Sequence, residues 1–184
     1  MSTGRLILVG GGSRSGKSRF ALDLACRLGE RRLFVATAEP RDEEMRRRIE
    51  THRLSRDQSF VTVEEPLALD EVLTQNHAYD VCVVDCLTLW LSNLLLAGVS
   101  EEGIGDRVAL LLQAVAKWAG PVIVVTNEVG MGIVPETPLG RVFRDVAGSA
   151  HQQLARHASE IYLAILGMVI ELKPEMRCLT PGER

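Results

Sequence analysis

A short apolar run, Leu6-Ile-Leu-Val9, leads directly into Gly10-Gly-Gly-Ser-Arg-Ser-Gly-Lys-Ser18, and a helix-forming segment follows from Lys17 to Leu28. The glycine-rich stretch contains the pattern G-x-x-x-x-G-K-[ST], which begins at Gly11 and lies between a strand and a helix. Gly11, Gly12, Ser13, Arg14, Ser15, Gly16, Lys17 and Ser18 are therefore expected to curl so that successive backbone N–H groups point inward at phosphate oxygens. The positive end of the helix dipole adds to the attraction. Lys17 would place a point charge on the β- and γ-phosphates, and the Ser18 hydroxyl would ligate Mg²⁺. Strand, phosphate loop and helix in this order commit the chain to an α/β architecture and to a triphosphate. The loop alone implies binding and no particular reaction.

The rest of the chain alternates β-type apolar runs with helical patterns, the signature of a parallel sheet covered by helices. Expected strands are Arg5 to Val9, Leu33 to Ala36, Val81 to Val84, Val122 to Thr126 and Ile161 to Leu166. Expected helices are Lys17 to Leu28, Asp42 to Arg53, Ala68 to Gln75, Leu87 to Ala97, Gly105 to Ala119 and Leu139 to His157. Gly98, Gly103 and Gly120 are placed near helix ends that need left-handed backbone. Gly167 to Lys173 is expected to pair antiparallel with the last strand as an edge hairpin. The fold class is thus α/β, a P-loop NTPase (RecA-like) with a mostly parallel sheet, helices on both faces and a short antiparallel edge at the C-terminus. Ligands should gather at the carboxyl ends of the strands. Asp85, directly after Val81-Cys-Val-Val84, fits the carboxylate that orients Mg²⁺. Its alternative is an N-cap for the next helix.

Composition narrows the function. At 184 residues a second core would be marginal, so residues 1–184 are read as one domain. A net charge of −3 supplies no basic field for polyanions, and nucleic acid is not an expected partner. The longest apolar stretch, Leu87 to Val99, is interrupted by Thr88, Ser92 and Asn93 and falls short of the ~20 residues of a membrane span. Cys26, Cys82, Cys86 and Cys178 lack zinc spacing, and reduced thiols in a cytoplasmic protein are the simpler reading.

After the second strand the chain reads Asp42-Glu-Glu-Met-Arg-Arg-Arg-Ile-Glu-Thr-His-Arg53, with acids in the first helical turn and arginines after them. Met45, Ile49 and His52 fall on one stripe, which turns His52 toward the protein body. A structural histidine and a catalytic one both satisfy this pattern. Neutral imidazole beside a nucleotide can attack an α-phosphorus to give a phosphoramidate that a second phosphate cleaves, with nearby arginines stabilising the charge that develops.

Several segments together resemble the bifunctional adenosylcobinamide kinase/adenosylcobinamide-phosphate guanylyltransferase family. They are Gly11 to Ser18, Ala36-Thr-Ala-Glu39, Asp42 to Met45 with Arg48 to Arg53, Val63-Glu-Glu-Pro66, Val84-Asp-Cys-Leu-Thr-Leu-Trp-Leu-Ser-Asn93, Thr126-Asn-Glu-Val-Gly-Met-Gly-Ile-Val-Pro-Glu136 and Phe143-Arg-Asp-Val-Ala-Gly148. They run in family order across nearly the whole chain, and the Asn127 to Pro135 run is far more restrictive than the phosphate loop. The resemblance implies two reactions: phosphorylation of the aminopropanol hydroxyl of adenosylcobinamide by ATP or GTP, then transfer of GMP from GTP through a guanylylated histidine to give adenosylcobinamide-GDP. It implies that His52 is that histidine. It further implies nucleotide contacts at Gly11 to Ser18, at Ala36, Thr37 and Ala38, at Arg53, Leu54, Ser55 and Arg56, and at Glu64 and Asp85, and a homotrimer. Ser149-Ala-His-Gln152 departs from the Arg-x-Asn-Gln that the family often shows, and His77, His151 and His157 are expected at the surface. Asn127, Glu128, Gly130 and Gly132 form a loop at a strand end, which a solvated turn and a corrinoid or catalytic role explain equally. A single-activity P-loop kinase for a small metabolite is the alternative function. A signalling GTPase is disfavoured, since the chain has no N-K-x-D motif.

Overall fold

The computed structural model of the chain describes residues 4–54, 59–174 and 177–179. The elements follow as β1 (Arg5–Gly11), α1 (Lys17–Leu28), β2 (Arg32–Ala36), α2 (Glu43–Leu54), β3 (Phe60–Glu64), α3 (Leu69–Gln75), β4 (Val81–Asp85), α4 (Leu87–Leu96), α5 (Glu101–Lys117), β5 (Pro121–Val125), α6 (Pro138–His157), β6 (Glu160–Ile165), β7 (Met168–Lys173) and β8 (Arg177–Leu179). They build one eight-stranded sheet in the order β3-β2-β4-β5-β1-β6-β7-β8. Neighbours from β3 through β6 pair in parallel, and β7 and β8 close the far side antiparallel.

Strand periodicity sorts the core into two layers. Leu6, Leu8, Leu33, Val35, Cys82, Val84, Val122 and Val124 point to one face, where α3, α4, α5 and α6 cover them. Ile7, Val9, Phe34, Val81, Val83, Ile123 and Val125 point to the other, where α1 supplies Phe20, Ala21 and Ala25. Four consecutive residues of β4 and four of β5 are buried, which is why both read as unbroken apolar runs. Each fully buried aliphatic side chain contributes about 1.5–3 kcal/mol.

The helices expected from sequence are all present. α5, however, begins at Glu101 rather than Gly105, because the Ser100 hydroxyl caps it by accepting from Gly103 N at 3.1 Å. Of the three glycines expected to be left-handed, only Gly98 has positive φ, at 83°. Two strands were not anticipated, β3 and β8. In β3 only Phe60 is buried while Val61 is 49% exposed, a pattern without clean alternation. β7 is not the edge of the sheet, since β8 pairs with its outer side. Among the described residues no helix is long and apolar enough to cross a membrane.

Candidate active site

The sheet register gathers the expected site residues into one row. Glu64 of β3 pairs with Ala36, Ala36 with Asp85, Asp85 with Val125, and Val125 with Val9. Val9 stands two residues before Gly11, so the phosphate loop emerges from the same level of the sheet, at the carboxyl ends of its strands. Gly11 ends β1 in a position where a Cβ would run into the Ala164 carbonyl and the Ser15 hydroxyl. Gly16 caps α1 with φ 95°, a left-handed conformation that a side chain resists. Gly12, Ser13, Arg14 and Gly16 are exposed, whereas Ser15 and Lys17 are buried. The Ser15 Oγ has no hydrogen-bond partner among the described residues. It is the kind of orphaned group that a phosphate oxygen satisfies.

Lys17 folds back on the loop, its Nζ donating to the Gly12 carbonyl at 3.0 Å. Burial lowers its pKa, while the charge of Asp85 pulls the other way. The ammonium and the Asp85 carboxylate are thus electrostatic neighbours beneath the cradle. Asp85 closes β4 and does not cap α4; the cap position belongs to Cys86. Burial, aided by Asp85, pushes the Cys86 thiol up to about 11, so it is protonated at neutral pH and is no competing nucleophile.

Thr37 is fully buried and its polar atoms are committed to the frame. Its Oγ1 donates to Cys86 O and accepts from Cys86 N, each at 2.8 Å, and its carbonyl accepts from Asn93 Nδ2 at 2.8 Å. The side chain therefore ties β2 to the start of α4, while the flanking Ala36 and Ala38 are half-buried. Glu64 is exposed at the end of edge strand β3.

His52 and Arg53 occupy the last turn of α2. The helix begins where Asp42 Oδ1 accepts from Met45 N at 2.7 Å, an N-cap one residue ahead of the acidic first turn. Met45 and Ile49 are half-buried and Arg53 is exposed. The side chains of His52 and Leu54, together with Ser55 and Arg56, lie outside the described residues.

One cluster was missed by sequence reasoning. His151, expected at the surface, is half-buried in α6, and its Nε2 lies 2.6 Å from the Thr126 hydroxyl. Its Nδ1 stands 3.9 Å from Glu128 Oε2. Burial lowers the imidazole pKa against the raising influence of Glu128. Thr126 and Glu128 are tied to the phosphate loop by their backbones, Thr126 N to Val9 O at 2.9 Å and Glu128 N to Gly11 O at 3.1 Å. Asn127 donates to Thr88 Oγ1 at 2.9 Å. The i, i+4 spacing of His151 to Ala147 and Ala155 on α6 was the available signal, but a lone histidine beside small residues carries little weight. His77 and His157 are exposed as expected.

A buried parallel strand, a glycine-cornered loop with a buried lysine, and a carboxylate at the end of the next strand but one define a P-loop nucleotide-binding α/β protein of the RecA-like kind. Solved structures agree on the fold. Flagellar accessory protein FlaH from Methanocaldococcus jannaschii aligns over 98% of this chain and 92% of its own with a TM-score of 0.52 at 15% identity. The RadB recombinase aligns over 96% and 86% with a TM-score of 0.52 at 18% identity. Residues 7–172 match the family of cobinamide kinase / cobinamide phosphate guanyltransferase, and the chain belongs to that family. Its relatives include the bifunctional adenosylcobalamin biosynthesis protein CobP of Pseudomonas aeruginosa, 43% identical over 169 residues that span 91% of this chain and 97% of the relative. The bifunctional adenosylcobalamin biosynthesis protein CobU of Escherichia coli is 39% identical over 183 residues, 91% of this chain and 99% of the relative.

Proposed function

We propose that this chain acts as one catalytic domain carrying out both reactions of its family on the corrinoid nucleotide-loop precursor. It phosphorylates the hydroxyl of adenosylcobinamide with ATP or GTP, then transfers GMP from GTP through a guanylylated His52. The observation that carries the reading is the register row from Glu64 through Ala36 and Asp85 to Val9, which aligns the candidate nucleotide contacts with the mouth of the phosphate loop.

In the transfer step His52 nitrogen bonds to the α-phosphorus of GTP as the α–β bridging bond breaks and pyrophosphate leaves. The corrinoid phosphate then attacks the same phosphorus and frees the imidazole. Lys17 and the N–H groups of Gly11 to Ser18 hold the β- and γ-phosphates, steadying the departing charge in a buried setting. Ser18 and Asp85 are the assigned Mg²⁺ ligands. A hydroxyl and one carboxylate, with no cluster of three or more His, Cys, Asp or Glu among the described residues, suit an ion that takes most of its ligands from phosphate and water. Mg²⁺ supplies charge neutralisation to the triphosphate. Ala36, Ala38, Glu64, Arg53, Ser55 and Arg56 are assigned to nucleoside and phosphate contacts, with Thr37 and Leu54 framing them.

The exposed loop residues Met131, at 89%, and Ile133, at 96%, support self-association, and we assign a homotrimer. A cytoplasmic location and the absence of a nucleic-acid partner complete the proposal.

Incubation with α-labelled GTP and Mg²⁺ tests it. The protein should acquire an acid-labile, base-stable label that His52→Ala lacks. Adenosylcobinamide phosphorylation without any protein label would instead indicate a single-activity kinase.

A further inference from the structure

The cluster at the carboxyl end of β5 is fastened to the phosphate loop. Glu128 is anchored by its own N–H to Gly11 O at 3.1 Å. Its Oε1 accepts from Gly130 N at 2.6 Å, which fixes the carboxylate plane. Its Oε2 faces the His151 imidazole at 3.9 Å. That separation is within ion-pair reach but beyond a hydrogen bond, so Oε2 keeps lone pairs for an incoming donor.

His151 is held in turn. Thr126 is 3% exposed, and its hydroxyl lies 2.6 Å from Nε2. When that hydroxyl donates to Nε2, the remaining proton of the neutral ring sits on Nδ1 and points at the carboxylate, the tautomer that the negative charge favours. Burial lowers the imidazole pKa, against the raising influence of Glu128. The carboxylate is the exposed member of the trio. Asp85, the other carboxylate at the cradle, already serves as counter-charge to Lys17.

We propose that Glu128 is the general base of the phosphoryl-transfer reaction, taking the proton of the acceptor hydroxyl, and that His151 is its positioning residue. The inference rests on the kinase half of the function given above. As the acceptor oxygen bonds to the γ-phosphorus, the bond from that phosphorus to the β–γ bridging oxygen breaks and the nucleoside diphosphate leaves. The hydroxyl proton passes to Glu128 and from there to solvent. The imidazole, 3.9 Å from Oε2, keeps the carboxylate in place beside the phosphate loop.

The test uses the full chain in two assays, transfer of γ-label from GTP to adenosylcobinamide and self-labelling by α-labelled GTP. Glu128→Gln should lower kcat for phosphoryl transfer by about 10²–10⁴-fold with KM for GTP little changed, the range for removal of a general base. Self-labelling should persist. Glu128→Asp, which keeps a carboxylate, should recover part of the rate. His151→Phe should lower kcat while leaving KM for GTP and self-labelling intact, and His151→Asn, which restores an N–H donor, should rescue it. A Glu128→Gln protein that phosphorylates at the wild-type rate overturns the assignment. So does equal loss of both activities in Glu128→Gln and Glu128→Asp, which marks a structural role. A wild-type protein that self-labels but phosphorylates nothing overturns the kinase reading itself, together with the base assigned to it.

Discussion

Helices α1 and α2 carry Lys17 and His52, and they are built differently. α1 drives Phe20, Ala21 and Ala25 into the core and buries Lys17 at its first turn. α2 has no fully buried side chain among those described; Met45 and Ile49 are only half-covered and the rest of its described residues are exposed or nearly so. The phosphate loop is therefore preformed by packing, whereas the helix that bears His52 takes little of its stability from the core. Under the function proposed for His52, an element that packing does not lock suits a nucleophile that has to present its cargo to a bulky second substrate.

The comparison breaks first on Phe20, whose ring sits 5.0 Å from that of Tyr162. Phe20→Ala should cost about 3–5 kcal/mol of unfolding free energy, the usual penalty for emptying an aromatic core position; a denaturant midpoint close to wild type would show that α1 is no better anchored than α2. Next in size is Lys17→Ala, expected to lower both phosphoryl transfer and self-labelling by about 10²–10³-fold, as for loss of one preorganised charge donor. Steady-state kinetics should find the two losses parallel, and loss of only one would separate the cradle into two sites. Ile49→Ala, on the half-covered face of α2, should cost about 1 kcal/mol, near the centre of the mutational distribution. Hydrogen exchange sharpens the same point: α2 amides should exchange faster than those of α1 and slow when GTP is added.

The smallest effect concerns the joint behind α1. Asp80 accepts from the Arg31 guanidinium at 2.6 Å and from the Arg31 and Glu30 backbone N–H groups at 3.0 and 3.2 Å. The Arg31 side chain chiefly, with those N–H groups, holds the Asp80 carboxyl down to about 2. A folded pKa below the ordinary value of about 3.9 stabilises the native state fully above that value and ceases to do so as pH falls toward 2. The melting difference between wild type and Asp80→Asn should accordingly be present at pH 6 and vanish near pH 2; a difference that grows on acidification would refute the role of this exposed pair.

Much of the frame was legible beforehand. The central strands are buried on both faces and so carry unbroken apolar runs, and α1 matches its expected bounds because a glycine-rich turn and Gly29 bracket it. β3 was not legible, since an edge strand with one buried residue lacks a pattern to read. Asp85 was read correctly as lying at a strand end, but whether it capped the next helix depended on where α4 begins, which is Cys86. The role of Thr37 as a buried clamp was not legible either, because a short polar side chain at a strand end is drawn to whichever unpaired backbone groups fold against it, and those belong to distant Cys86.

What the sequence by itself determined was the cradle, since its glycines, lysine and serine act through local backbone geometry over a span of eight neighbouring residues, Gly11 to Ser18. It also determined the family, through motifs whose order survives without any knowledge of contacts. Tertiary structure alone decided which distant residues stand together. Sheet register aligned Glu64, Ala36, Asp85 and Val9 in one row, and the seating of α6 brought His151 to Thr126 and Glu128. Register and helix placement are set by burial of the whole core, a collective quantity that no single segment encodes.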